Sequence, residues 1–190
     1  NDSVIIYNGS RGDNPTEFDI SANQSFTFSI WANVVQNGSR GTFFSMNDAN
    51  SGQTGLFRIH KENDGTVYVV ARDDNDNGGL NEQNGDTGTI EIDDSSWHLI
   101  TFTRKVENDK FLLHVDAQLD SVWTDTTTTS LTQNITDIAI GMDPYSGGRY
   151  YAQGRLADVR FYDHGLTEQE IQYLYQVGKR GLHTSDKRSL

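Results

Sequence analysis

The chain has 190 residues, a length typical of one domain, and 34% of them are hydrophobic, which is enough for one compact core. Fifteen basic residues against 27 acidic ones give a net charge of −12, which disfavours nucleic acid and anionic membranes as partners. The chain has no cysteine and no apolar stretch approaching the ~18 residues of a membrane span, so disulfides, thiolate metal sites and membrane insertion are excluded.

Alternating apolar and polar residues predict β-strands along nearly the whole chain. The clearest pattern is FTFSIWANV at 26–34, which puts its apolar side chains on one face and Trp31 on the other. Trp31 therefore either lines the outer side of a two-faced sheet or lies exposed. Further strands are predicted at 4–7, 42–46, 87–92, 135–142 and 154–162.

Two hairpins are also predicted from short polar turns between alternating segments. The first joins 56–62 to 66–72, and the second joins 97–106 to 110–119. Their turns are 63–65 and 107–109.

The only helical pattern is at 168–176, where Thr167 and Glu170 have the spacing of a capping box. Gly178 is predicted to end this helix. Many short strands followed by one helix predict an all-β fold, a two-sheet antiparallel jelly-roll sandwich with a short C-terminal helix. We expect one domain over 1–178, followed by a polar tail or linker at 179–190.

Several of these segments, in this order, resemble the laminin G-like and pentraxin-like branch of the concanavalin A-like lectin/glucanase superfamily. The closing run GRLADVRFYDHGLTEQEIQYL at 154–174 is the most specific of them. The others are FTFSIWANV at 26–34, TFFS at 42–45, WHLITF at 97–102, FLLHVD at 111–116 and IAIG at 138–141. The resemblance implies a jelly roll that binds glycans or proteins outside the cell or on a virion or phage surface.

Because neighbouring strands alternate in direction, the loops should alternate between the two ends of the sandwich. We place the turn 63–65 at the lower end. The upper end is then predicted to hold 47–54, 73–86, 107–109 and 143–152, and the lower end also holds 35–41, 93–96 and 120–134. The upper end collects many aspartates, and a bound cation would relieve their repulsion.

Calcium is the predicted cation. The loop after Asp73 begins like a D-x-[DN]-x-[DN]-G calcium loop, although position 84 is Asn where the motif has Glu. The resemblance to pentraxin-like domains implies ligands on the loop at 48–50, and at Asp143 and Gln153. The predicted metal ligands are Asp48, Asn50, Asp73, Asn75, Asp76 and Asp143. In the alternative interpretation these acids only keep the loops solvated.

The segment DPYSGGRYYAQ at 143–153 combines aromatic rings that can stack on sugars with groups that bond sugar hydroxyls. The predicted ligand contacts are Tyr145, Arg149, Tyr150, Tyr151 and Gln153. The alternative is that these tyrosines cover a sheet edge. Trp97, at the start of a strand, is predicted to pack in the core rather than to bind.

No catalytic motif is complete. Glu91 and Asp93 begin the acidic pattern of related hydrolases, but the second glutamate is missing. His98 and His114 alternate with apolar residues and are interpreted as satisfied sheet histidines. The chain is therefore predicted not to be an enzyme.

These observations predict a lectin-like carbohydrate-binding adhesion module with calcium-organised loops, part of a larger surface or secreted protein. Its partners would be a glycan or polysaccharide and other subunits or domains of that protein, at an extracellular, cell-surface or virion-surface location. One alternative is a structural or protein-interaction domain of a virion or cell-surface assembly. Another is a polysaccharide hydrolase or lyase with an unrecognised acid pair.

Overall fold

Two antiparallel β-sheets pack face to face in the computed structural model of the chain. It describes residues 4–8, 20–47, 56–73, 79–80, 87–131, 135–144 and 149–186. Among these residues, seven strands form sheet A, namely β1 (Val4–Asn8), β3 (Gly41–Asn47), β4 (Leu56–Lys61), β5 (Thr66–Arg72), β6 (Gly79–Leu80), β7 (Thr87–Glu91) and β11 (Asp137–Ile140). Five form sheet B, namely β2 (Phe26–Val35), β8 (Asp94–Lys105), β9 (Lys110–Val115), β10 (Gln118–Thr124) and β12 (Gly154–Tyr162).

The strand order is β1-β11-β3-β4-β5-β6 in sheet A, with β7 also paired to β5, and β10-β9-β8-β2-β12 in sheet B. The core lies between the sheets, as the alternation in β2 predicts. Phe28 of β2 meets Phe44 of β3 with ring centroids 4.6 Å apart, and Phe26 meets Phe57 of β4 at 5.5 Å. Each such ring contributes about 1.5–3 kcal/mol through its burial. The predicted two-sheet antiparallel sandwich is confirmed.

One α-helix, α1 (Glu168–Asp186), lies against the outer face of sheet B. It begins with the predicted capping box, because the backbone N–H of Glu170 donates to Thr167 Oγ1 at 3.3 Å and the backbone N–H of Thr167 donates to the Glu170 carboxylate at 2.8 Å. The ring of Tyr175 stacks on Trp31, with centroids 5.7 Å apart. Trp31 therefore lines the outer side of a two-faced sheet. Among the described residues, no helix combines the length and apolar composition that crossing a membrane requires.

The prediction that Gly178 ends the helix is wrong. The helix continues to Asp186, so residues 179–186 of the predicted tail are helical. A Cβ atom on Gly178 would overlap Trp31 Nε1. Glycine is needed here because the helix approaches the indole closely, and not because the helix stops.

The single strand predicted over 110–119 is also wrong. Asp116 and Ala117 form a two-residue turn with φ angles of 53° and 61°, so the chain reverses and adds strand β10. Because of this extra strand, the later loops lie at the opposite ends of the sandwich from those predicted. Residues 125–131 are at the upper end, where the backbone N–H of Thr128 donates to Asp73, and residues 149–152 are at the lower end, where the carbonyl of Tyr150 accepts from the N–H of Thr42.

Candidate functional site

A cleft of about 570 Å³ opens at the lower end of the sandwich, where three segments of the chain meet. It is termed the rim cleft. The turn after β2, the turn between β4 and β5, and the segment before β12 contribute Gly38, Ser39, Arg40, Asn63, Tyr150, Tyr151 and Gln153. Three of the five predicted ligand contacts therefore share one cleft. Arg149 is described beside it, and Tyr145 lies outside the described residues.

Backbone contacts with β3 hold the segment before β12 in place. The N–H of Thr42 donates to the carbonyl of Tyr150 at 2.7 Å, and Tyr151 forms a parallel bridge with Thr42. A Cβ atom on Gly41 would lie 3.3 Å from Ala152 Cα, so the two segments approach closely. Tyr150 has a φ of 50°, in the left-handed region that costs energy for a residue other than glycine.

Tyr150 contacts two guanidinium groups. Arg149 Cζ lies 4.8 Å from the centroid of the ring, and Arg40 Cζ lies 5.8 Å from it. Both arginine side chains are partly exposed, at 39% and 38%. Cation–π contacts at such sites contribute about 0.5–1 kcal/mol each. Sequence reasoning missed Arg40, which is more than a hundred residues from Tyr150.

Arg40 is linked to a buried histidine through Glu62. Arg40 Nε donates to Glu62 Oε2 at 2.9 Å, and Nε2 of His60 lies 2.9 Å from Oε1. The His60 hydrogen bond, followed by that of Arg40, lowers the pKa of Glu62 to about 2, although burial opposes this shift. Burial lowers the pKa of His60, so at neutral pH its ring is uncharged and donates from Nε2.

Asp143 connects the cleft to the outer face of sheet A. Its carboxylate is fully buried and accepts from Arg58 Nη1 at 2.9 Å, from Arg149 Nε at 2.9 Å and from Asn47 Nδ2 at 3.1 Å. Arg40 and Arg149 keep partly exposed guanidiniums at or beside the cleft, whereas the side chains of their carboxylate partners Glu62 and Asp143 are 14% and 0% exposed. The rim cleft is therefore locally favourable for an anion.

The described acids do not have the arrangement of a calcium site. Asp143 has arginine and amide donors on its carboxylate, and the carboxylate of Asp73 accepts from the N–H and hydroxyl of Thr128, both at 2.9 Å. Across the described parts of the chain, no group of three or more His, Cys, Asp or Glu side chains could hold a metal ion. The other predicted metal ligands lie outside the described residues, namely Asp48, Asn50, Asn75 and Asp76.

The two-sheet order, the aromatic core and the helix after the last strand define a concanavalin A-like jelly roll. The chain belongs to the laminin G-type branch of the concanavalin A-like lectin/glucanases superfamily, whose family model matches residues 8–172. The resemblance found in the sequence is thereby confirmed. A comparison with the sequences of curated proteins gave no match.

Solved structures share this fold at low sequence identity. The CBM40 domain of the Ruminococcus gnavus IT-sialidase, bound to α2,3-sialyllactose, has 14% identity and a TM-score of 0.64 over 92% of this chain and 97% of that one. The binding domain of Paraclostridial Mosquitocidal Protein 1 has 18% identity and a TM-score of 0.64 over 91% of this chain and 40% of that one. A SAP-like pentraxin from Limulus polyphemus has 13% identity and a TM-score of 0.57 over 92% and 82%.

Proposed function

We propose that this protein is a non-catalytic glycan-binding module and that its rim cleft holds the sugar. The observation that carries the proposal is the meeting of three separate segments in one open cleft, where Tyr151, Gln153, Asn63 and Arg40 combine an aromatic ring with amide and guanidinium groups. Sugar sites need this combination of an apolar face and hydroxyl-bonding groups. The module would act outside the cell, at a cell or virion surface, as part of a larger surface or secreted protein.

The proposed ligand is an acidic sugar. Two partly exposed guanidiniums, those of Arg40 and Arg149, contact Tyr150, and a guanidinium pairs well with a sugar carboxylate. The structurally similar Ruminococcus gnavus domain is bound to α2,3-sialyllactose, a carboxylated glycan, which supports the same class of ligand here. Tyr150 already contacts two guanidiniums, so Tyr151 is the ring we expect to stack on the sugar.

The proposal of a non-catalytic role is supported by the position of the incomplete acidic pattern. Asp93 is 6% exposed and its carboxylate lies 3.5 Å from Lys61 Nζ, so it does not form an open acid pair with Glu91. The competing hydrolase or lyase hypothesis predicts product release from a polysaccharide panel that is lost in Asp93→Ala. Absence of release supports a binding module.

The proposed binding is tested by calorimetric titration of 3′-sialyllactose, with lactose as the neutral matched ligand. We expect Arg40→Ala to weaken the binding of sialyllactose about tenfold and to leave any heat from lactose unchanged, since a charge-assisted hydrogen bond contributes about 1.5–3 kcal/mol. Arg40→Lys keeps the charge but loses the planar guanidinium, so its affinity for sialyllactose should lie between those of the wild type and Arg40→Ala. Arg160→Ala removes an exposed arginine elsewhere on β12 and is the control.

Unchanged affinity in Arg40→Ala would remove the rim cleft from the proposal. Failure of every glycan would favour the alternative of a structural or protein-interaction domain. That alternative has one observation in its favour, because Tyr173 and Val177 lie one helical turn apart on α1 and are 68% and 45% exposed. Defined oligomers in light scattering would support it.

Organisation of the loops by calcium stays a prediction. With Asp73 and Asp143 engaged by other donors, it depends on Asp48, Asn50, Asn75 and Asp76. Calcium added to chelator-treated protein should raise the melting temperature if a native-state site exists, because a ligand that binds only the folded chain stabilises it. An unchanged melting temperature and no heat of binding would reject calcium.

A further inference from the structure

A second candidate site lies on the outer side of sheet B, beside α1 and separate from the rim cleft. Two cavities of about 440 Å³ each share Trp97 and Arg155 as lining residues. The first has polar walls, including Asp94, Ser96 and Asp116, and the second is lined mainly by apolar and glycine residues. The two cavities together are termed the helix-side cleft.

Trp97 does not pack as the sequence predicts. The residue is half-buried rather than buried, and its indole borders both cavities. The Cζ atom of the exposed Arg155 lies 5.3 Å from the centroid of the indole, in a cation–π contact. The indole is therefore a partly accessible aromatic surface that contacts the guanidinium of the exposed Arg155.

The strand register fixes this arrangement. Asn33 of β2 pairs with Trp97 of β8 on one side and with Arg155 of β12 on the other, so the three residues form a row across the sheet. Asn33 Nδ2 also donates to the carbonyl of Ser95 at 2.6 Å. Ser95 has a φ of 68°, an unfavourable value for this residue, which the bond from Asn33 helps to maintain.

Acidic and basic side chains both line the polar cavity, with Asp94 and Asp116 on one hand and Arg155 and Lys179 on the other. His98 lies between two carboxylates, with Nδ1 2.9 Å from Asp116 Oδ2 and Nε2 3.0 Å from Asp94 Oδ1. The side chain of Asp94 is 60% exposed. This exposed carboxylate can accept hydrogen bonds from sugar hydroxyls, and it disfavours a sugar carboxylate placed beside it.

We propose that the helix-side cleft is a second saccharide site, which binds a neutral pyranose with its apolar face on Trp97 and its hydroxyls toward Asp94 and Ser96. The ring takes the place of the Arg155 guanidinium on the indole. The site is independent of the rim cleft, which is proposed to hold an acidic sugar. The two clefts therefore differ in the charge of the sugar they accept.

The experiment follows the indole N–H signal of Trp97 in ¹⁵N-labelled protein, assigned by its loss in Trp97→Phe. The probes are methyl β-D-galactopyranoside, which is neutral, and the methyl α-glycoside of N-acetylneuraminic acid, which is charged. We expect a saturable shift of this signal with the neutral probe, an equal shift in Arg40→Ala, and no shift with the charged probe. Because Arg40→Ala affects only the rim cleft, failure of one site does not imply failure of the other.

Arg155→Ala tests the proposal through a gain of affinity, which a misfolded variant would not show. If the sugar displaces the guanidinium, removing Arg155 should strengthen binding of the neutral probe about two- to fivefold, the equivalent of one exposed cation–π contact. No shift with the neutral probe at any concentration, or weaker binding in Arg155→Ala, overturns the proposal. A similar shift with the charged probe also overturns it, because the exposed carboxylate of Asp94 would then not select against a charged sugar.

Discussion

Asp143 and Arg58 form an ion pair at 2.9 Å in which both side chains are buried, at 0% and 2% exposure. The same carboxylate accepts from Arg149, whose guanidinium lies over Tyr150 at the rim cleft. A single buried carboxylate thus pairs with Arg58 of sheet A and also holds Arg149 beside the candidate site. Removing the charge should affect both stability and binding.

Asp143→Asn is expected to lower the free energy of unfolding by about 3–5 kcal/mol, because it leaves Arg58 charged and buried. Urea denaturation measures the change. The control is Asp158→Asn, which breaks the Arg160–Asp158 pair at 2.7 Å whose side chains are 43% and 41% exposed. Exposed pairs contribute about 0–1 kcal/mol. Equal losses in the two variants would show that the buried pair does not stabilise the fold.

The sequence predicts most strands and the capping box correctly because these depend on neighbours a few residues apart. The turn at Asp116 and Ala117 is different, since the apolar alternation of 110–119 continues through it and Asp-Ala carries no strong turn signal. That turn can be recognised only from the pairing of β9 with β10. Because this turn was not predicted, two later loops were assigned to the wrong ends of the sandwich, including the segment that contains Tyr150.

The candidate site was predictable only where its residues are contiguous. The composition of 149–153 indicates a binding segment, but nothing local to Arg40 indicates that its turn meets that segment. Asp143 was predicted to bind a metal because the alternation of the loops grouped it with other aspartates and the resemblance to pentraxin-like domains implies a ligand there. Its partners Arg58 and Arg149 come from other parts of the chain, and only the fold brings them together.

Gly178 and Gly181 of α1 form a matched pair for testing how closely the helix packs on Trp31. A Cβ atom at 178 would overlap the indole, whereas a Cβ atom at 181 meets nothing within 4 Å. Gly178→Ala is expected to destabilise the fold by about 1–3 kcal/mol through overpacking. Gly181→Ala should stabilise it by up to about 1 kcal/mol, because alanine favours the helix. Thermal melting of both variants makes the comparison, and stabilisation by Gly178→Ala would contradict the close packing.

His114 is expected to make the protein less stable in acid. The side chain is 3% exposed, and neither ring nitrogen has a hydrogen-bond partner among the residues that the structure describes. Burial lowers its pKa, and this shift is opposed by Glu168 and reinforced by Lys105. The unfolded chain therefore binds the proton more readily. Stability is complete above the unfolded pKa of about 6.5 and falls as the pH drops below it.

His114→Phe should remove this part of the acid sensitivity. The measurement compares urea midpoints of wild type and variant at about pH 7.5 and about pH 5.5. His60, whose pKa burial also lowers, retains its own contribution in both proteins. The difference between the two proteins at the lower pH therefore isolates His114, and identical pH slopes would contradict the prediction.

His98 should stabilise the protein in acid, which is the opposite of the effect expected for His114. Its hydrogen bond to Asp116, and then that to Asp94, raises its pKa against the effect of burial. The stabilisation is complete below the unfolded pKa of about 6.5 and is lost as the pH rises through the higher folded value. His98→Gln is therefore expected to destabilise the protein more at about pH 5.5 than at about pH 8.5. Denaturation at both pH values measures the loss of stability, and a larger loss at the higher pH would contradict the prediction.

Salt should distinguish the two proposed sugar sites, because only the rim cleft is expected to bind through charge. Raising the salt from about 0.05 M to about 0.5 M shortens the Debye length from roughly 14 Å to roughly 4 Å, which weakens attraction between a partly exposed guanidinium and a carboxylate. Calorimetry with 3′-sialyllactose should show several-fold weaker binding at the higher salt. The shift of the Trp97 signal with methyl β-D-galactopyranoside should keep its midpoint, since stacking on an indole does not depend on net charge. If both affinities fell together, the contrast in charge between the clefts would not explain their selectivity.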